Sequence, residues 1–154
     1  MIGIPLGLAY GNAVEWILHR YLLHGLGKKK KTFFSFHWSE HHKNARQNNM
    51  YDPDYAKPFL KSGPPFKETV SLVLFGLLHL PLLPIAPFFT LTGYYCIFNY
   101  LRVHKKAHQD VEWAKQNLPW HRDHHMGKNQ DANWCVTKPW FDVVMGTRQA
   151  EGRA

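Results

Sequence analysis

Apolar positions are concentrated in two stretches of the chain and polar ones in the rest, so the sequence is written for two solvents. Ile2 to Leu23 is apolar except for Asn12, Glu15, His19 and Arg20. That pattern predicts a helix from about Ile2 to His24 whose second half turns a polar face inward or leaves the lipid. Gly3, Gly7 and Gly11 form a small-xxx-small stripe suited to close helix contact. A loop from Gly25 to Thr32 leads to a short aromatic helical stretch, Phe33 to Lys43. Asn48 to Pro65 holds four prolines and no sustained period, which predicts a loop or cap.

Phe66 to Leu101 is almost wholly apolar, and Pro81, Pro84 and Pro87 divide it. This predicts a helical hairpin from about Pro65 to Gln109 with its turn at the prolines. Each arm offers about 15 apolar residues, below the ~20 that cross a bilayer squarely. A re-entrant hairpin, or helices extending past the lipid, fits better than two clean spans. Trp113 to Arg148 is polar and tryptophan-rich, with a short helix around His121 to His125 and an irregular tail. The expected fold is an all-α, integral-membrane helical domain with an apolar hairpin and a histidine-rich cluster outside the lipid. A chain of 154 residues suits one domain, taken as 1–154 with a core at 13–148.

Composition changes this picture little. The mean hydropathy of −0.39 is low for a membrane protein because it averages the two regions. The net charge of +8 suits nucleic acid, an anionic membrane surface or the cytoplasmic flanks of membrane helices. Placement decides: Lys28 to Lys31 follows the first apolar segment, and Arg102, Lys105 and Lys106 follow the last. The charge is read as topological, and no nucleic-acid partner is expected, since such binders spread basic residues along a face with interleaved aromatics. Cys96 and Cys135 lack a CxxC spacing, which excludes a zinc ribbon or an iron–sulfur cluster and leaves two plain thiols. The first 18 residues carry no basic n-region and no cleavage site, so they read as a retained helix.

The chemistry lies in the histidines. Ten of eleven fall into four groups: His19 with His24; His37 with His41 and His42; His104 with His108; and His121 with His124 and His125. His79 stands apart and reads as a helix-packing residue. On an α-helix, residues three or four apart share a face, so His37/His41, His104/His108 and His121/His124/His125 each aim imidazoles at one point. A spacing of five, as in His19/His24 and His37/His42, fits where a helix ends or bulges. Ten clustered imidazoles suit two metal ions better than one, and all-nitrogen coordination suits iron or zinc. Glu15, Glu40 and Asp123 lie close enough in sequence to fix imidazole tautomers from behind.

The order HRYLLH, HWSEHH, a long apolar gap, HKKAH and HRDHH resembles the fatty acid hydroxylase and sterol desaturase superfamily of membrane diiron enzymes. The likeness runs from His19 to about Arg148, and Asn133, Trp134, Trp140, Asp142, Gly146 and Thr147 resemble the family's closing segment. The resemblance implies two iron ions held by the ten histidines at the cytoplasmic membrane face, with zinc compatible as the isolated metal. It implies dioxygen as co-substrate and hydroxylation or desaturation of a lipid C–H bond. Electrons would come from a separate donor protein. Family members usually carry more hydrophobic sequence before the first motif than the 18 residues here, which points to a membrane partner or an oligomer.

Two other classes compete. His37, Glu40 and His41 spell the HxxEH of a zinc-dependent membrane peptidase, in which two histidines bind zinc and the glutamate is the base. That motif uses only two of ten histidines. The third class is a non-catalytic metal-binding membrane protein.

Overall fold

The computed structural model describes residues 2–58 and 61–150, and Met1, Phe59, Leu60 and 151–154 of the expected single domain lie outside them. Among the described residues every regular element is helical and there is no strand. Helix α1 spans Gly3–Ile17 and continues without a break into a π-helical segment, Leu18–Leu26. A second π-helical segment, His37–His42, runs into α2, Lys43–Gln47. The hairpin follows as α3, Pro64–Leu78, a single 3-10 turn at Leu80–Leu82, and α4, Pro87–Gln109. Prolines sit at the start of all three hairpin pieces, where a missing N–H costs nothing and φ is already helical. Three short helices close the chain: α5, Val111–Asn117; α6, Pro119–Met126; and α7, Trp140–Val144.

The α1–α4 contact organises the apolar half. A Cβ on Gly3 would lie 2.8 Å from the backbone nitrogen of Phe89, one on Gly7 2.7 Å from Cβ of Thr92, and one on Gly11 2.7 Å from Sγ of Cys96. The glycine stripe therefore lets the two helices approach more closely than any side chain would permit.

No helix among the described residues is long and apolar enough to cross a membrane, so the transmembrane helix expected from the sequence is not found. The reason is length and composition. Helices α1 and α3 have 15 residues each, and α4, with 23, turns polar at Asn99 and carries Arg102, His104, Lys105, Lys106 and His108.

The centre of the polar half is not aliphatic. Ten histidines lie there, none more than 2% exposed. Met50, Ala107, Ala114 and Leu118 flank them on one side, and Trp16, Trp134 and Cys135 on the other.

Candidate metal centre

The helix type decides which histidines meet. An α-helix turns about 100° per residue, so side chains five apart diverge by about 140°. The wider π turn, with its i→i+5 hydrogen bonds, brings residue i+5 back over residue i. The Gly27 N–H, bonded to the Leu22 carbonyl at 3.0 Å, follows that pattern. His19 and His24 therefore face one point, as do His37 and His42.

Two groups result. In the first, potential ligand atoms of His19, His24, His37, His42 and His124 all lie within 4.8 Å of one another. Nε2 separations are 3.0 Å for His19–His37, 3.0 Å for His24–His42, and 3.2 Å for both His37–His42 and His42–His124. The second group holds His41, His104, His108 and His125. His121 stands against it, its Nε2 3.2 Å from that of His108 and its ring 4.7 Å from that of His125.

The backs of the rings are tied down. Nδ1 of His19 lies 2.6 Å from the Trp134 carbonyl, that of His124 2.7 Å from the Ala132 carbonyl, and that of His108 2.8 Å from the Met50 carbonyl. A carbonyl can only accept, so each Nδ1 carries the hydrogen and each Nε2 keeps its lone pair for the interior. His41 meets Asp52 at 2.8 Å, His104 meets Glu68 at 2.9 Å and His24 meets Asp131 at 3.2 Å, all through Nδ1. His42 differs, since its Nδ1 faces the Gln130 amide at 3.0 Å.

These nitrogens fit metal ions. Two nitrogens on one ion, each bonded at about 2.0–2.1 Å, lie about 2.9–3.4 Å apart, which brackets the separations found. Nε2 of His41, Nε2 of His104, Nδ1 of His121 and both ring nitrogens of His125 are buried without a hydrogen-bond partner. Leaving such an atom unpaired costs about 1–3 kcal/mol, and a cation is the partner that lone pairs pointing at one another can share. Burial, followed by the neighbouring rings, holds the imidazoles of His19, His37, His42, His108, His121 and His125 well below the usual histidine range. Burial also lowers His124 to about 4. Neutral imidazole is the metal-binding form.

The carboxylates behind the rings are Asp52, Glu68 and Asp131, and the three expected from the sequence lie elsewhere. Glu15 accepts the Val136 and Thr137 N–H groups, both at 3.0 Å, and the Thr137 hydroxyl at 2.5 Å. It anchors the C-terminal segment to α1. Glu40 is half-exposed and pairs with Lys67 at 3.3 Å, and Asp123 meets Arg148 at 3.5 Å.

The HxxEH motif comes apart: His37 belongs to the first group and His41 to the second, while Glu40 faces Lys67. The His37 and His41 rings stay 5.2 Å apart, but with the two histidines in different groups and Glu40 turned to Lys67 the motif does not gather at one ion.

The C-terminal segment is a brace. Buried Asp142 accepts the Trp134 and Cys135 N–H groups at 2.8 Å and the Thr147 hydroxyl at 2.8 Å, and Trp16 donates to that same hydroxyl at 2.9 Å. Gly146, at φ +66°, makes the turn that returns Thr147 to Asp142. The Trp134 carbonyl that orients His19 is fixed by this network.

A cavity of about 400 Å³ lies between α1, α3 and α4. Its walls are almost entirely apolar, and it reaches His19, Glu68 and Tyr100 beside the cage. Tyr55 and Tyr100 donate to the two oxygens of Glu68 at 2.9 and 2.8 Å, and the Tyr55 ring stacks on His108.

Fold and site together define an all-helical protein with two buried histidine groups at the end of an apolar cavity. The chain belongs to the fatty acid hydroxylase family, whose model matches residues 4–147. Membership implies an oxidoreductase, and the histidine groups fit metal binding. No curated protein and no solved structure matches the chain.

Proposed function

We propose that this chain is a membrane-associated dinuclear oxygenase that hydroxylates a C–H bond of a lipid lying in the apolar cavity. The observation that carries the reading is the continuity of cavity and cage: the apolar walls end at His19, a ring of the first group, and at Glu68, which holds His104 of the second. Two iron ions are the metals this reading assigns to the two groups, and zinc would occupy the same nitrogens. Bound iron would supply the activation of dioxygen, with one oxygen atom entering the C–H bond, the other leaving as water, and two electrons and two protons consumed. A separate donor protein would deliver the electrons. Desaturation is the alternative outcome when a second hydrogen leaves the adjacent carbon.

The chain's own residues do three things in this scheme. Carbonyls and carboxylates hold the rings of His19, His24, His41, His104, His108 and His124 in place, so little reorganisation of these accompanies the chemistry. Packing keeps water from the cage. Tyr100 and Glu68, hydrogen-bonded to each other, line the cavity where it meets the cage, and Tyr55 also donates to Glu68.

Exposed apolar side chains support membrane association. Leu77, Leu78, Leu80, Ile85 and Phe88 at the hairpin tip, with Ile2, Ile4 and Leu6 around the start of α1, are all exposed large apolar side chains, the kind of surface a membrane contact would cover. In the proposed arrangement these tips enter the lipid without crossing it, and Lys28 to Lys31 lie towards the cytoplasmic headgroups.

The test is conversion. Iron-loaded protein in detergent, given a lipid extract, dioxygen and a reductase system, should yield lipids heavier by one oxygen atom or lighter by two hydrogens in mass spectra. Unchanged lipids from fully loaded protein would overturn the reading.

A further inference from the structure

We propose that Tyr10 and His79, at the end of the cavity remote from the histidine cage, form a receiving site for a hydroxyl group on the lipid. This rests on the cavity being the lipid site, as argued above.

Tyr10 is on α1, and His79 follows the last residue of α3 at the hairpin tip. Both line the cavity. Nδ1 of His79 lies 2.8 Å from the Phe75 carbonyl, so that nitrogen carries the ring hydrogen. Nε2 is then a bare lone pair, and the Tyr10 hydroxyl donates its one hydrogen to it at 2.7 Å. The Tyr10 oxygen has given away its hydrogen and keeps acceptor capacity. Rings surround the pair, Phe75 at 4.5 Å from His79 and Phe89 at 5.2 Å from Tyr10. Ser71 and Thr90, which also line the cavity, spend their hydroxyls on the carbonyls of Lys67 and Ala86 along their own helices.

A polar oxygen in an apolar wall favours a ligand that completes its hydrogen bonding. Here the missing partner is a donor. An alcohol supplies one; an ether, an ester carbonyl or an aldehyde does not. A carboxylate brings a charge and acceptors only. The dyad therefore selects a lipid alcohol. Nine residues separate Tyr10 from His19 and eleven separate Glu68 from His79, which sets the dyad about 14–16 Å from the cage, roughly eleven to thirteen bonds of an extended chain. The hydroxyl would fix which carbon reaches the metals.

The test uses the full metal-loaded chain in detergent, with dodecan-1-ol, its methyl ether and dodecanal competing against a fluorescent long-chain probe. Gly93→Leu, which fills the cavity, serves as the control that the probe sits there. Wild type should bind the alcohol about five- to tenfold more tightly than the ether or the aldehyde. Tyr10→Phe combined with His79→Leu, which removes both acceptors, should abolish that preference while leaving ether binding unchanged; Tyr10→Phe alone would open the His79 Nε2 lone pair to the alcohol. His79→Leu should free the Tyr10 hydrogen to donate, raising the ether and aldehyde towards the alcohol, a change that a purely structural clip would not produce. Equal binding of alcohol and ether by wild type, or a preference that survives the Tyr10→Phe/His79→Leu double variant, would overturn this proposal alone. No displacement by any of the three would overturn it together with the lipid reading.

Discussion

His37 and His42, five residues apart, bring their Nε2 atoms to 3.2 Å, whereas His41, four residues from His37, belongs to the other group. The π turn over His37–His42 divides one sequence motif between two sites. It also leaves Glu40 on the surface with Lys67. Glu40→Gln should therefore leave metal content and lipid turnover within about twofold of wild type, since exposed ion pairs contribute little. Loss of a metal ion in that variant, seen by elemental analysis, would restore a catalytic role for HxxEH.

Glu68 presents the opposite expectation. It is buried, meets His104 at 2.9 Å and receives two tyrosine hydroxyls. Burial pushes its carboxyl up, but the contact with His104, followed by His41 and the Tyr100 hydroxyl, holds it below the usual carboxylate range. Glu68→Gln should weaken metal binding at the second group by about 10- to 100-fold, measured by competition with a chelator, and leave the first group unaffected. Equal weakening of both would mean that Glu68 acts on the fold and not on His104.

How much of this was legible in the sequence depended on how local each feature is. The hairpin was, because prolines punctuate an apolar run wherever that run folds. The ten histidines were, because their density is independent of helix type. Their division into two sites was not, since it turns on α against π winding, which spacing of five hints at without deciding. Asp52 was hidden in a loop without periodicity and reaches His41 only through the tertiary fold. Glu68 did carry a signal: it is the one acid between Phe66 and Leu101, and a lone carboxylate in an apolar run marks function. Glu15, one turn before His19, was misleading because the C-terminal segment supplies it with donors from residues 136 and 137.

The metal-free protein should be acid-sensitive. Nine cage histidines are held below their ordinary value, burial being the largest cause for each. A base with a depressed folded pKa contributes stability that is present above its unfolded value, near 6.5, and is lost as pH falls towards the folded one. Each such ring contributes a slope of up to about 1.4 kcal/mol per pH unit. Circular dichroism of chelator-treated protein should show unfolding between about pH 6.5 and 5, with the metal-loaded protein holding to lower pH. A flat profile across that window would contradict the burial of neutral imidazoles.

The cavity can be filled without touching the cage. Gly93 lines it, and a Cβ there meets nothing within 4 Å. Gly93→Leu should lower lipid turnover by at least tenfold with full metal content, and it should not destabilise α4, where glycine is a poor helix former. Unchanged turnover would place the substrate elsewhere.

The most direct test of the central claim is the metal stoichiometry of detergent-purified protein prepared with iron under reducing conditions, compared with His108→Ala. Two ions per wild-type chain, and one in the variant with the first group still filled, is the result expected from two separate histidine groups. One ion per wild-type chain, or none, would contradict it.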